Sequence, residues 1–524
     1  MKRQTSAGHQ NLAVSRREFG AGALALATVV CGVFSSHRSW ADGPKKGGLF
    51  KVACDSSSAK DTLDPAKTIS VIDLCRATQI YNRLVDIAPD GTLRPALAES
   101  WEGNAAGDEW VVKLRQGVSF HNGKTLTAED VIYTIRRVLD PETASGARVL
   151  IADIDGAALK ADDSRTLRIK LTAPNADLPS LLALYQLHVV PEGHTDFAKP
   201  VGTGPFSCRS FEPGVAAVFV RNANYWKSEL PYLDEIHTIG IQDPTARFNA
   251  LLAGDVHAIT KLDANLVQRA SSLTDISVLS TPGPAHATYP MRSDAPPFDS
   301  NDVRLALKYA MDREKLLSVA YAGQGVVGYD HPVASFNPYF CPEIPLRPYD
   351  PERAKFHLKK AGQEGATFEL TTSTIIQNGV EAATIYAEMA SKAGINIKVT
   401  QAPADGYWSA TWMKKPWAMS TWWGRPTIDS TLGVAYASDA KWNEGAWKNA
   451  KFDQILKDAR AITDFDRRKQ LYWEAQRILA EEGPSIIPVF MNWLDATSAK
   501  IKGIQSHPMG NLGWFQWDEA WIDS

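Results

Sequence analysis

Helix-like and strand-like segments alternate along this chain, and this alternation restricts the fold more than any other feature. A helix is predicted from Thr127, an N-cap that stands three residues before Asp130 and ahead of an apolar stripe. Further helices are predicted near Asp302, from Asp350 to Gly362, and at 452–462 and 467–481. Extended runs rich in β-branched residues lie at 166–171, 215–220, 368–372 and 395–399. The sequence therefore predicts an α/β fold.

The length of the chain indicates more than one lobe. A chain of 524 residues is too long for a single hydrophobic core, so we expect two or three cores with a cleft between lobes. The 56 Lys and Arg residues nearly balance the 59 Asp and Glu residues, which argues against a nucleic-acid partner. The sequence has no internal repeat or low-complexity tract, and this disfavours solenoids and disordered tails.

The N-terminus is typical of an export signal. The adjacent Arg16 and Arg17 precede an apolar run from Ala21 to Val33 that is too short to span a bilayer. The paired arginines resemble a twin-arginine signal, which carries folded proteins across the bacterial inner membrane. We predict that residues 1–41 are removed after Ala41, which leaves 51 basic and 58 acidic residues. The mature protein is then expected to be soluble in the periplasm.

Four cysteines follow the predicted signal: Cys54, Cys75, Cys208 and Cys341. Four cysteines allow three full pairings, and an oxidising compartment favours at least one bridge, with Cys54 and Cys75 the nearest pair in sequence. No pair has the spacing of a structural zinc site. The eleven histidines are scattered, so direct metal capture is not expected, and no cofactor is predicted.

Several segments together resemble one known family, the large periplasmic solute-binding proteins that deliver peptides, nickel and related solutes to ABC importers. Its most recognisable signature is matched by Leu114–Gly123 followed by Leu126–Val131. Other matching segments occur in the family's order: Leu63–Ala66, Tyr81–Val85, Leu97–Glu102, Val201–Phe206, Asn222–Trp226, Ala250–Val256 and Asp302–Arg313. The resemblance covers nearly all of residues 47–500.

This resemblance implies a bilobed periplasmic-binding-protein fold of type II, the large peptide-binding class, with two hinge crossings. Lobe I would comprise 42–288, with an inserted subdomain at about 86–198, and lobe II would comprise 289–489. Residues 490–524 would return to lobe I. The crossings are expected near 287–289 and 488–490. The family also implies a monomer that closes on a small solute and delivers it to a membrane permease.

Aromatic residues are dense between 407 and 447, which suits a cleft for a small organic solute. Trp408, Trp422 and Trp423 are predicted to contact solute, whereas Trp412 and Trp417 are expected to pack in the core. In peptide binders of the family, an aspartate shortly after the tryptophan of the segment that corresponds to Trp422–Trp423 holds the ligand's amine.

Here Arg425 stands at about the place of that aspartate, with Asp429 four residues further on. A guanidinium prefers a carboxylate, and Asp429 could hold an amine, so together they would suit a zwitterion. The alternative is that the two side chains pair with each other or with neighbours. We expect a short peptide or a carboxylate-bearing amino acid derivative, such as an opine-like compound.

Tyr329, Asp330 and His331 are further predicted solute contacts, because they follow the family's turn at 323–325. The sequence lacks GxSxG, HExxH, Walker and GxGxxG signatures, so no enzymatic activity is expected. Three alternatives stay open: a nickel- or metallophore-binding receptor of the same family, a periplasmic hydrolase, and an interaction protein on the same scaffold.

Overall fold

The computed structural model describes residues 43–523 and has a mixed α/β architecture. Its strands are β1 (Leu49–Cys54), β2 (Val85–Ile87), β3 (Leu93–Pro95), β4 (Ala98–Gly103), β5 (Glu109–Leu114), β6 (Lys160–Asp163), β7 (Thr166–Lys170), β8 (Phe206–Glu212), β9 (Ala216–Arg221), β10 (Glu235–Gly240), β11 (Ala258–Ile259), β12 (Ile276–Pro290), β13 (Gly325–Val327), β14 (Thr367–Thr372), β15 (Asn396–Gln401), β16 (Ser420–Trp422), β17 (Ser485–Ile486), β18 (Val489–Ser498), β19 (Ile501–Lys502) and β20 (Trp521–Ile522).

The α-helices alternate with these strands. They are α1 (Val71–Ile80), α2 (Ala128–Leu139), α3 (Leu178–Leu181), α4 (Pro244–Ala253), α5 (Val267–Ser271), α6 (Asn301–Tyr309), α7 (Arg313–Ala320), α8 (Pro351–Lys360), α9 (Gly379–Lys392), α10 (Tyr407–Ala410), α11 (Ile428–Tyr436), α12 (Ala450–Ala461), α13 (Phe465–Glu482) and α14 (Asn511–Trp514), the last a single distorted turn. None of the helices within 43–523 is long and apolar enough to cross a membrane. The predicted export signal and its cleavage site lie outside the described residues.

Helix α2 shows how local sequence produces these elements. The Thr127 backbone N–H donates to the Asp130 carboxylate at 2.8 Å, so the chain's entry into the helix is capped. Its apolar stripe is buried, with Val131, Ile135 and Val138 each about 1% exposed. The helix predicted from Thr127 is confirmed.

The largest sheet has the strand order β16, β12, β18, β11, β1, β10, β9, β8. Strand β1 pairs in parallel with β10 and β11, whereas the other neighbours along this path are antiparallel. Strands β12 and β18 pair over most of their length, from Ile276 opposite Ser498 to His286 opposite Phe490, with a register shift between Pro282 and His286. This two-stranded ribbon carries the chain between the two lobes.

The cores at the two ends of this ribbon differ. Leu494 and Ala496 pack in a lobe I core with Phe248 and Leu251, whereas Ala287 and Met491 pack in a lobe II core around α6, α7 and α9. The change of core therefore falls between residues 278 and 285 on β12 and between 491 and 494 on β18. The fold is bilobed, as predicted, and the lobe limits given above stay a prediction. Strands β4–β7 and helix α2 enclose a separate lobe I core.

The four cysteines in the described residues are all free. Cys54, at the end of β1, and Cys75, on α1, are both fully buried and lie within hydrogen-bonding distance of each other. Cys208 and Cys341 belong to different parts of the fold, since Cys341 packs with Ile344 and Ala480. The expected bridge is thus absent from this structure, although the nearest pair in sequence is also close in space.

Candidate functional site

The loop that carries Arg425 is held against the ribbon between the lobes. Strand β16 pairs with β12, so that Trp422 lies directly opposite His286. Helix α11 begins after Thr427, whose hydroxyl accepts a hydrogen bond from the Ser430 backbone N–H at 3.0 Å. These two anchors leave residues 423–426 as a short loop at the cleft. The pairing of β16 with β12 and the capped start of α11 therefore fix the position of this loop.

Gly424 lets the loop approach the ribbon closely. A Cβ atom added at this position would lie 2.1 Å from Cγ and 2.5 Å from Cβ of Pro284 on β12. Such distances are far shorter than a van der Waals contact, so a larger residue would displace the loop. The position of Arg425 relative to β12 thus depends on this glycine.

Arg425 lies over two adjacent indoles and has no acidic partner in the described part of the chain. Its guanidinium carbon is 5.6 Å from the ring centroid of Trp422 and 5.3 Å from that of Trp442. The side chain is half-buried, and burial alone lowers the pKa of Arg425 from its usual value. Because arginine stays charged in proteins, the site presents a cation supported by aromatic faces.

Asp429 does not pair with Arg425. Its carboxylate binds Arg460 of α12, at 2.9 Å from Nη2 and 3.0 Å from Nε. Burial raises the pKa of Asp429, against the opposing effect of Arg460. The two residues considered together as a zwitterion site are therefore separated, and only Arg425 faces the cleft.

A cavity lies in front of Arg425 and is lined from both lobes. Lobe I contributes Ile87, Gly91, Leu93, Ser180 and Met509; the ribbon contributes Pro284 and His286; lobe II contributes Pro332, Ala334, Phe336, Asn337, Pro338, Gly424, Arg425, Pro426 and Thr431. Arg425 is the single charged side chain among these lining residues.

His286 is a neutral member of this wall. It is 2% exposed, and its Nδ1 donates to the Pro284 carbonyl oxygen at 2.9 Å. Burial lowers the pKa of His286 to about 4. Its Nε2 has no hydrogen-bond partner within the described residues. The imidazole therefore adds hydrogen-bonding capacity to the cavity but no charge at neutral pH.

None of the three predicted tryptophans lines this cavity. Trp422 packs beneath Arg425, as described. Trp423 is 58% exposed and stacks on Trp493 of β18, with ring centroids 6.2 Å apart. Trp408 is 43% exposed and meets Trp412 edge-on at 5.8 Å. Trp417 is fully buried, in agreement with its expected core role.

Asp330 and its neighbours support the site from behind. Both Asp330 oxygens accept hydrogen bonds from Arg313 at 2.7 Å, and Arg347 contacts the same carboxylate at 3.2 Å. Burial opposes ionisation, but these arginines lower the pKa of Asp330. His331 is fully buried and, with the half-buried Tyr329, packs against Phe340; burial lowers the pKa of His331 to about 3. In this structure the three residues position the lining segment 332–338 and do not line the cavity themselves.

At one edge of the cavity the lobes contact each other directly. Asp177, three residues before the lining residue Ser180, forms a buried ion pair with Arg468 of α13. The same guanidinium donates to the Tyr339 hydroxyl at 3.1 Å and the Tyr472 hydroxyl at 3.2 Å. Close by, the Ala176 N–H donates to the Arg460 carbonyl oxygen at 2.9 Å. We call these two interlobe links the latch.

A family model for bacterial extracellular solute-binding proteins, family 5, matches residues 92–444. The chain belongs to this family. Family 5 members are binding proteins, and they occur in the periplasm as the receptors of ABC importers. The bilobed fold, the cavity lined from both lobes and the direct interlobe contact all agree with that role.

Two proteins of similar sequence and one solved structure of similar fold can be compared with this chain. The chain is 29% identical over 476 residues to heme-binding protein A of Haemophilus influenzae, which covers 82% of this chain and 85% of the relative. It is 26% identical over 509 residues to di/tripeptide-binding protein 2 of Pseudomonas aeruginosa, covering 87% and 93%. The structure of HbpA2 from Haemophilus parasuis matches with a TM-score of 0.80 at 21% identity, covering 91% of this chain and all of that one.

Several wall residues of this family 5 protein escaped prediction from sequence. His286 and the segment 332–338 show no motif, and the lobe I contributions come from three distant parts of the chain. The one available signal was the cluster of prolines at 332 and 338, which rules out regular structure there. Within residues 43–523 no three His, Cys, Asp or Glu side chains come together as a metal site requires.

Proposed function

We propose that this receptor captures a carboxylate-bearing solute in the cavity between its lobes and delivers it to the membrane permease of its importer. The observation that carries this proposal is the unpaired Arg425 in the cavity wall. Short peptides and amino acid derivatives, including opine-like compounds, are the solute classes considered. The relatives named for peptides support the first of these classes.

Arg425 suits a carboxylate for physical reasons. A guanidinium can donate two parallel hydrogen bonds to a carboxylate, and such charge-assisted bonds are about twice as strong as neutral ones. Trp422 and Trp442 fix its orientation, so little side-chain entropy is lost on binding. Closure of the lobes excludes water and strengthens the interaction further.

We also propose the remaining features of the mature protein from its sequence and family. Residues 1–41 direct export and are removed, and the product acts as a soluble periplasmic monomer. It binds and releases its solute without chemical conversion, and it needs no cofactor.

A thermal-shift screen tests the proposed solute class. The refolded, ligand-free protein is screened against dipeptides, opines, aromatic acids and nickel–histidine, since binding to the native state raises the melting temperature. Stabilisation by carboxylates is expected. Stabilisation by nickel–histidine alone would favour the nickel alternative instead.

The Arg425→Ala variant tests the assigned residue. We expect roughly 10- to 100-fold weaker binding of the best carboxylate in calorimetry, because charge-assisted hydrogen bonds contribute about 1.5–3 kcal/mol. Arg269→Ala is a matched control, since Arg269 also lies over one aromatic ring, Phe248, at 5.6 Å, but in lobe I away from the cavity. Unchanged affinity in Arg425→Ala would refute the proposal.

A further inference from the structure

The charge on the cavity wall is of one sign. Arg425 supplies a positive charge, and none of the lining residues in the described chain is acidic. Most of the wall is apolar: Ile87, Leu93, Pro284, Pro332, Ala334, Phe336, Pro338, Pro426 and Met509. Ser180, Asn337, Thr431 and the neutral His286 provide uncharged hydrogen-bonding groups. Such a wall complements an anion with an apolar body.

The carboxylates near the cavity are already committed to other partners. Asp429 is paired with Arg460 at 2.9 Å, and Asp177 is paired with Arg468. Glu444 lies beneath the tryptophans, is only 4% exposed, and accepts hydrogen bonds from an indole N–H and a threonine hydroxyl. An ammonium group on the solute would therefore find no free carboxylate to pair with.

We propose that the cavity selects anionic solutes that lack a free ammonium group, such as N-acylated amino acids and N-blocked short peptides. This inference rests on the proposed function and narrows its solute class. An amine-bearing peptide would have to bury its ammonium group in an apolar wall beside a fixed guanidinium, and an unpaired buried charge costs several kcal/mol. Acylation removes that charge and leaves an amide N–H that can donate a hydrogen bond to a neutral group of the wall.

Three matched sets of probes test this selection. Dipeptides of Ala, Leu and Phe are prepared as free dipeptides, as N-acetyl dipeptides and as N-acetyl dipeptide amides, so that each set differs from the next by one group. Calorimetry on the refolded protein is expected to show the N-acetyl acids binding at least about tenfold more tightly than the free dipeptides. The N-acetyl amides are expected to bind weakly, because they offer Arg425 no anion.

The outcomes separate this inference from the proposed function. Free dipeptides that bind as tightly as their acetylated forms would overturn the inference alone. Amides that bind as tightly as the acids would overturn carboxylate capture itself. Failure of every N-acetyl acid to bind below about 1 mM, a free energy of only about −4 kcal/mol, would also overturn the inference.

Asp429→Asn tests the competing idea that Asp429 holds a solute amine. Because this carboxylate faces Arg460 and does not line the cavity, the ratio of affinities for acetylated and free dipeptides should stay unchanged. A selective loss of free-dipeptide binding in this variant would show that Asp429 binds the amine and would overturn the inference. Arg425→Glu provides the opposite check: it should abolish binding of the acetylated acids while circular dichroism stays native.

Discussion

The latch gives the clearest quantitative prediction, for the substitution Asp177→Asn. Asp177 directly precedes α3 in lobe I, and its partner Arg468 lies on α13 in lobe II, so the ion pair exists only when the lobes touch. Their side chains are 5% and 4% exposed. Burial alone would lower the pKa of Arg468, but Asp177 and the two tyrosines raise it. The charged pair therefore stabilises the closed arrangement specifically.

The magnitude follows from the burial of this pair. Removing one partner of a buried ion pair costs about 3–5 kcal/mol, because the remaining charge stays desolvated. Here the open form escapes that cost by exposing Arg468 to water, so the penalty falls on the closed form. Apparent affinity scales with the population of the binding-competent state. We expect Asp177→Asn to weaken solute binding by roughly 100- to 5,000-fold.

Two measurements check this prediction together. Calorimetry with the best carboxylate probe reports the affinity, and small-angle scattering with saturating probe reports whether the variant still becomes compact. Asp162→Asn is the matched control, because Asp162 pairs with Arg168 at 2.7 Å within lobe I and at the surface. If Asp177→Asn bound the probe with wild-type affinity and reached the wild-type radius, the Asp177–Arg468 ion pair would have no role in closure.

Two further predictions concern the cavity loop and the buried histidine behind it. Gly424→Ala should weaken solute binding roughly 5- to 100-fold, because overpacking against Pro284 costs about 1–3 kcal/mol. The control Gly433→Ala should bind normally, because the nearest atom to the added Cβ is 3.8 Å away. Equal affinities of the two variants in calorimetry would contradict this. The pKa of His331 is about 3 in the fold, so its contribution to stability is complete above pH 6.5 and is lost as the pH falls toward 3. Between pH 6.5 and pH 4, the free energy of unfolding of His331→Phe, measured with urea, should therefore fall by roughly 3 kcal/mol less than that of the wild type. An equal fall in both proteins would contradict this.

Local rules explain why the fold was predictable. The capping pair Thr127 and Asp130 marks the start of α2 within four residues of sequence, and no distant contact is needed to recognise it. The same holds for Asp350, whose carboxylate accepts a hydrogen bond from the Arg353 N–H at 2.9 Å as α8 begins. The ordered series of family segments then predicts how such elements assemble. Fold class and bilobed architecture depend on many such signals, and an error in one has little effect.

The partners of individual charges were not predictable in this way. Asp429 lies four residues from Arg425 but pairs with Arg460, 31 residues further on. Asp330 was predicted as a solute contact, and in the structure its carboxylate binds Arg313 and Arg347. Tertiary packing selects the partner of each buried charge, and several arginines in the sequence could serve equally well. Sequence therefore predicts the segment that approaches the cavity more readily than the partner of each charged side chain in it.

The allocation of charge partners in this receptor also bears on the solute that it can bind. At 26–29% identity the architecture is shared, but relatives of this kind are named for heme and for peptides, so the fold leaves the solute open. The choice of solute then depends on the side chains that face the cavity. Asp429 is neutralised within its own lobe and Asp177 across the latch, so that among the described residues Arg425 is the one charged side chain that lines the cavity. A solute that supplies the missing negative charge completes the pairing, and one that adds a second positive charge cannot.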